Sequence, residues 1–186
     1  MKKIVSVLVM MIAVSVSAQT KIAGYAMPNT VLANGVTLKM NGGGMREKLF
    51  FNLYVGVLYL ETKSLDANTI LNADKPMAIK LRITSGMIDK DNMEEAVREG
   101  FTKSTKGNGA AMKKDIDILI NKGFSDEIVK GDVFDFIYVP GKGTIMAKNN
   151  KLLVNIKGLA FKKALFGIWL CDQPADSNLK VKMLGK

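Results

Sequence analysis

The run Leu49-Phe50-Phe51-Asn52-Leu53-Tyr54-Val55-Gly56-Val57-Leu58-Tyr59-Leu60 constrains this chain more than any other feature. It holds no charge, is rich in aromatic and β-branched residues, and reads as one long buried strand within Met45 to Glu61. Such a strand needs neighbours, and the sequence supplies them. Thr30 to Met40 alternates apolar and polar residues around Asn34-Gly35, which predicts two short strands joined by a tight turn. Asn41-Gly42-Gly43-Gly44 then reads as a glycine turn that ends this pattern. Met77 to Thr84 is a further strand. Val133 to Val139, Thr144 to Lys148 and Leu152 to Ile156, separated by Pro140-Gly141-Lys142-Gly143 and Asn149-Asn150, form a three-strand meander.

Two other regions have helical spacing. Met93, Ala96, Val97 and Phe101 share one side of a helix over Asp89 to Lys106, whose early acids Asp89 and Asp91 suit the helix dipole. Met112, Ile116, Leu119 and Ile120 do the same over Ala111 to Asn121, and Lys122-Gly123 is a stop signal. Helices over Leu159 to Leu170 and Asn178 to Leu184 close the chain. Strands, then helices, then strands, then helices predict an α+β domain, an antiparallel sheet with helices on one face. The strict strand-helix alternation of a dinucleotide-binding fold is missing.

The N-terminus sets the compartment. Lys2 and Lys3 precede an apolar stretch from Ile4 to Val16, and Val16-Ser17-Ala18 precedes the polar Gln19. This is the pattern of a signal peptide over residues 1-18, cleaved after Ala18. The apolar stretch falls short of the roughly 20 residues that cross a bilayer, so no transmembrane segment is expected. The expectation is a periplasmic or secreted protein of one domain, residues 19-186. Its single cysteine, Cys171, allows no intrachain disulfide and reads as a buried, inert thiol.

Charge and composition remove several function classes. The formal charge of +10 becomes +8 once Lys2 and Lys3 leave, and of 27 basic residues only Arg46, Arg82 and Arg98 are arginines. Base and phosphate recognition favours arginine, and the lysines are scattered, so no nucleic-acid partner is expected. There is no histidine, which removes Ser-His and Cys-His catalysis and the commonest zinc ligand. Neither a metal nor a cofactor is expected. Gly141-Lys142-Gly143-Thr144 echoes a phosphate-binding loop, but it joins two predicted strands and reads as a hairpin.

One motif stands out, Gly42-Gly43-Gly44-Met45-Arg46, which delivers an arginine to the strand that follows. With Gly131-Asp132, Tyr138-Val139-Pro140-Gly141-Lys142-Gly143-Thr144, Phe161-Lys162-Lys163-Ala164-Leu165-Phe166-Gly167-Ile168-Trp169-Leu170 and the final Asn178 to Gly185, this sequence resembles the bacterial branch of the chalcone isomerase-like family. The resemblance spans nearly the whole chain after residue 18. It implies an open-faced β-sandwich, with a large antiparallel sheet covered on one face by helices and a ligand cleft between them.

In the plant isomerases of this family an arginine holds the substrate oxyanion, and Arg46 matches it. A threonine, a tyrosine, an asparagine and a C-terminal Thr or Ser complete that site. Here Tyr54, Met93, Gly100 and Ile168 fall at those positions. Most donors that would stabilise a developing enolate are therefore replaced. The pattern resembles the fatty-acid-binding members of the fold, in which an Arg and a Tyr hold a carboxylate. The resemblance implies that Arg46 and Tyr54 grip a small apolar carboxylic acid, with Met93 and Ile168 in the apolar wall.

Three readings stand beside one another. The first is a carrier of a fatty acid or similar apolar acid, without isomerase activity. The second is an isomerase, an intramolecular lyase acting on a chalcone-like unsaturated ketone or another flavonoid-like ligand. The third is a protein whose cleft is filled by its own side chains, with Arg46 paired to Glu47 or Glu61 and Trp169 simply in the core.

Overall fold

The computed structural model describes residues 19–186; the expected signal peptide lies outside the described residues. A short hairpin of β1 (Gln19–Ile22) and β2 (Tyr25–Pro28) precedes a seven-stranded sheet of β3 (Thr30–Ala33), β4 (Val36–Lys48), β5 (Phe51–Leu60), β6 (Met77–Ile83), β7 (Val133–Val139), β8 (Gly143–Lys148) and β9 (Lys151–Ile156). Every neighbouring pair is antiparallel and the spatial order follows the chain order. The helices are α1 (Ala67–Asn72), α2 (Lys90–Ser104), α3 (Lys113–Gly123), α4 (Leu159–Leu170) and α5 (Ser177–Met183).

The period of two along the strands separates two cores. Tyr54 and Leu58 on β5, Ile79 and Leu81 on β6, and Phe134 and Phe136 on β7 face the helices and form the larger one. Val55, Val57, Tyr59 and Ala78 point the other way and meet Met27 of β2 in a smaller cluster. The β1–β2 hairpin, which the sequence reading leaves as a leader, thus covers part of the sheet's second face.

Three aspartates start the helices with their side chains. Asp89 accepts from the backbone N–H of Asn92 at 2.8 Å, Asp66 from those of Asn68 and Thr69, and Asp176 from that of Leu179. The other end of α1 is satisfied from within. Lys162, fully buried on α4, donates to the carbonyl oxygens of Ile70, Leu71 and Ala73 at 2.7, 2.9 and 3.0 Å. Burial pulls the Lys162 ammonium down to about 8, with Lys163 adding to the effect.

Three local expectations are corrected. Gly42-Gly43-Gly44 is no turn: β4 runs through it, with a bulge between Met40 and Gly42. The glycines are there because α5 lies on this strand. A Cβ on Gly42 would stand 2.2 Å from the Lys182 carbonyl oxygen, and one on Gly44 would stand 2.5 Å from the Lys182 side chain. The long buried strand expected over Met45 to Glu61 is split: Met45 to Lys48 belong to β4 and β5 begins at Phe51, because Leu49 and Phe50 form an exposed two-residue turn with φ of 49° and 70°. Cys171 is half-buried rather than buried, since it sits at the end of α4.

Candidate functional site

The site is built where β4 and β5 leave the core towards their connecting turn. Arg46 and Tyr54 are register partners on the face that the helices cover. The guanidinium carbon lies 5.5 Å from the centre of the Tyr54 ring, a cation–π arrangement. Among the described residues Arg46 makes no ion pair, with Glu47, Glu61 or any other acid, and its buried Nε has no hydrogen-bond partner. The surface ion pair weighed from sequence is therefore not formed.

Tyr54 is 3% exposed, and its hydroxyl oxygen accepts a hydrogen bond from the Trp169 indole N–H at 2.8 Å. Burial pushes the Tyr54 phenol up from its ordinary value; the Arg46 charge and the Trp169 bond oppose this without cancelling it. The phenol is neutral at physiological pH, and with Trp169 occupying an acceptor position its own proton is available to a further acceptor. Trp169 is held in turn by Phe136, ring centres 5.5 Å apart. Sequence reasoning places Trp169 in the core and misses this second role. The available signal is physical: a buried indole N–H needs a partner, and Tyr54 is the phenol on the facing strand.

A cavity of about 260 Å³ opens between this end of the sheet and α2. Arg46, Leu53 and Tyr54 form its sheet wall, and Ile88, Met93 and Ala96 form the wall opposite. A second cavity lies deeper, bounded by Arg46, Tyr54 and Met93 together with Ile168, Trp169 and Phe136, and measures about 20 Å³. The outer space approaches the roughly 300 Å³ at which small-ligand sites begin. The inner one is on the scale of a single water molecule. The structure thus brings Arg46, Tyr54 and Met93 together around both spaces, while Ile168 borders only the inner one.

Ile168 is held back by its neighbour on α2. A Cβ on Gly100 would stand 2.8 Å from the Ile168 side chain, so the absence of a side chain at 100 is what lets Ile168 sit there. Gly100 and Ile168 thus form one tight apolar contact between α2 and α4.

This geometry is a guanidinium and a phenol side by side at the rim of an apolar space, on a helix-covered antiparallel sheet. Residues 19–185 match the chalcone isomerase-like family. The chain belongs to that family. Its fold is also that of a solved structure, an Arabidopsis thaliana fatty-acid binding protein, with a TM-score of 0.72 and 16% sequence identity over 87% of this chain and 92% of that one. No curated protein matches the sequence. The fold resemblance carries the architecture, and what this chalcone isomerase-like chain binds must be argued from its own side chains.

The rim carries further charge. Lys48 borders the outer cavity with Glu95 and Glu99. The bond from Lys103 chiefly holds the Glu99 carboxyl below its usual range, and the Lys48 and Arg46 charges add to it. Among the described residues no cluster of acids, cysteines or histidines could hold a metal ion.

Proposed function

We propose that this protein binds a small apolar carboxylic acid, such as a fatty acid, in the outer cavity, with Arg46 and Tyr54 on the carboxylate and Met93 in the wall beside its tail. The observation that carries this reading is the pairing of Arg46, which has no acidic partner among the described residues, with a buried neutral phenol that has a proton to give. An anion is the complement of that pair, and charge-assisted hydrogen bonds make it a strong one. Leu53, Ile88, Met93 and Ala96 offer apolar surface to a hydrocarbon tail, beside the polar Lys48, Asn92, Glu95 and Glu99 of the same lining.

The volume argues for a short or bent tail, because the space towards Ile168 holds no more than a water. Isomerase chemistry has less support. It asks for several donors around an enolate, whereas Met93, Gly100 and Ile168 bring apolar surface. In this reading the chain is exported, its signal peptide removed after Ala18, and it meets its ligand in the periplasm or outside the cell.

Native mass spectrometry of the mature protein, purified from its own compartment, tests the proposal. The expected spectrum shows a bound acid in the wild type that is absent from Arg46→Ala at unchanged thermal stability. An unliganded wild type that also ignores added decanoate would refute it. Turnover of a chalcone by the wild type would favour the isomerase instead.

A further inference from the structure

Four hairpins of this fold close with two residues that both have positive φ: Ala23-Gly24, Asn34-Gly35, Leu49-Phe50 and Asn149-Asn150. Positive φ at both positions is what a type I′ turn requires, and Asn and Gly are the residues that reach it with least strain. Three of the turns follow that rule at one position or both. Leu49-Phe50 breaks it at both, with large apolar side chains in the left-handed region.

Packing does not explain the exception. Phe50 is 104% exposed and Leu49 is 77% exposed, so neither side chain is covered by the rest of the fold. Phe51 and Met87 beside them are about half exposed. These four make up nearly half of the large exposed apolar residues among those described, and three of them, Leu49, Phe51 and Met87, border the outer cavity. A conformationally unfavourable turn that also leaves two apolar side chains in water needs an external apolar phase to be understood.

We propose that the Leu49-Phe50 turn, with Phe51 and Met87, inserts into the interface of an anionic lipid bilayer and sets the mouth of the outer cavity against it. Area distinguishes a bilayer from a second copy. The four side chains expose on the order of 500 Å², taking about 200 Å² for a whole phenyl side chain, against the roughly 800 Å² per partner of a stable protein interface. A narrow protruding tip suits a fluid phase that closes around it.

Charge selects the lipid. Residues 19–186 carry a net +8 in scattered lysines, and Lys48 adjoins the turn. Lysines near a membrane surface favour anionic headgroups, over a range set by the ~8 Å screening length. Glu47, Glu95 and Glu99 lie in the same region, so the local field is mixed; the apolar tip supplies the depth and the net charge the attraction. Docking stands on the turn alone, whereas loading an acid from that bilayer rests on the proposed function.

Flotation of residues 19–186 with vesicles of equal parts phosphatidylglycerol and phosphatidylcholine tests this, using wild type, Phe50→Gly and Phe50→Trp. Glycine relieves the strained φ and keeps the fold, while tryptophan keeps an interfacial ring. The expected result is salt-sensitive flotation of wild type and Phe50→Trp, with partitioning at least about tenfold weaker for Phe50→Gly, as losing one phenyl ring from an apolar phase requires. Titration with decanoate in vesicle-free buffer, unchanged in Phe50→Gly, shows separately whether the acid site works. Three results would each overturn the docking proposal: a wild type that stays with the unbound fraction, equal flotation of wild type and Phe50→Gly, or a wild-type dimer that Phe50→Gly dissolves.

Discussion

Replacing Tyr54 with phenylalanine removes one oxygen from the centre of the site, and the structure gives two separate consequences. The Trp169 indole N–H donates to that oxygen at 2.8 Å, and Trp169 is itself buried, so Tyr54→Phe leaves a buried donor unsatisfied. An orphaned donor of this kind costs about 1–3 kcal/mol of folding stability. The ligand also loses the phenol, whose hydrogen bond to a carboxylate is worth about 1.5–3 kcal/mol, or roughly 10- to 150-fold in affinity. Urea denaturation gives the first quantity and calorimetric titration with decanoate the second. A double-mutant cycle with Trp169→Phe separates them. The double variant should be less destabilised than the sum of the two single ones by about 1 kcal/mol, because neither partner is then left alone, yet its affinity should remain low. Additive stabilities together with wild-type affinity in Tyr54→Phe would show that the phenol neither serves Trp169 nor faces the ligand.

The remaining expectations follow from other contacts. Ile168→Ala should merge the two cavities, cost about 2–5 kcal/mol of stability, and shift preference towards longer acids in a chain-length series; an unchanged preference would place the tail elsewhere. Gly42→Ala should destabilise by about 1–3 kcal/mol in urea, because its Cβ meets the backbone of α5 rather than a yielding side chain, and a neutral effect would mean that α5 is not seated there. Tyr138, which burial and its hydrogen bond to Asp74 push up to about 12, keeps its proton in the folded state after the unfolded chain releases it near pH 10. Its contribution is complete below pH 10 and is lost as pH rises from 10 to 12. The stability of wild type relative to Tyr138→Phe, read from urea midpoints, should fall across that window, and a flat difference would contradict the assignment.

The sheet was legible because its strands carry the period of two and its turns carry Asn and Gly. Leu159 to Leu170 matches α4 to the residue, since its apolar positions fall at helical spacing. The helix α1 escaped because six residues hold too little periodicity, and what fixes it, Lys162, lies about ninety residues away. Gly42 to Gly44 misled for a related reason. Glycine marks a turn by its conformational freedom, but here it marks the close approach of α5, which no local pattern reveals. The Arg46–Tyr54 pair follows from the β4–β5 register. The depth of Ile168 does not, because it depends on how α2 and α4 meet at Gly100.

The comparison of decanoate with methyl decanoate addresses the central claim most directly, because the two share a tail and differ at the head. If Arg46 and Tyr54 hold a carboxylate, the wild type should bind the acid at least about tenfold more tightly than the ester, the loss expected when a charge-assisted hydrogen bond is removed, and Arg46→Ala should erase the difference. Equal binding of acid and ester by the wild type would contradict the account, leaving a cavity that takes hydrocarbon without reading its head group.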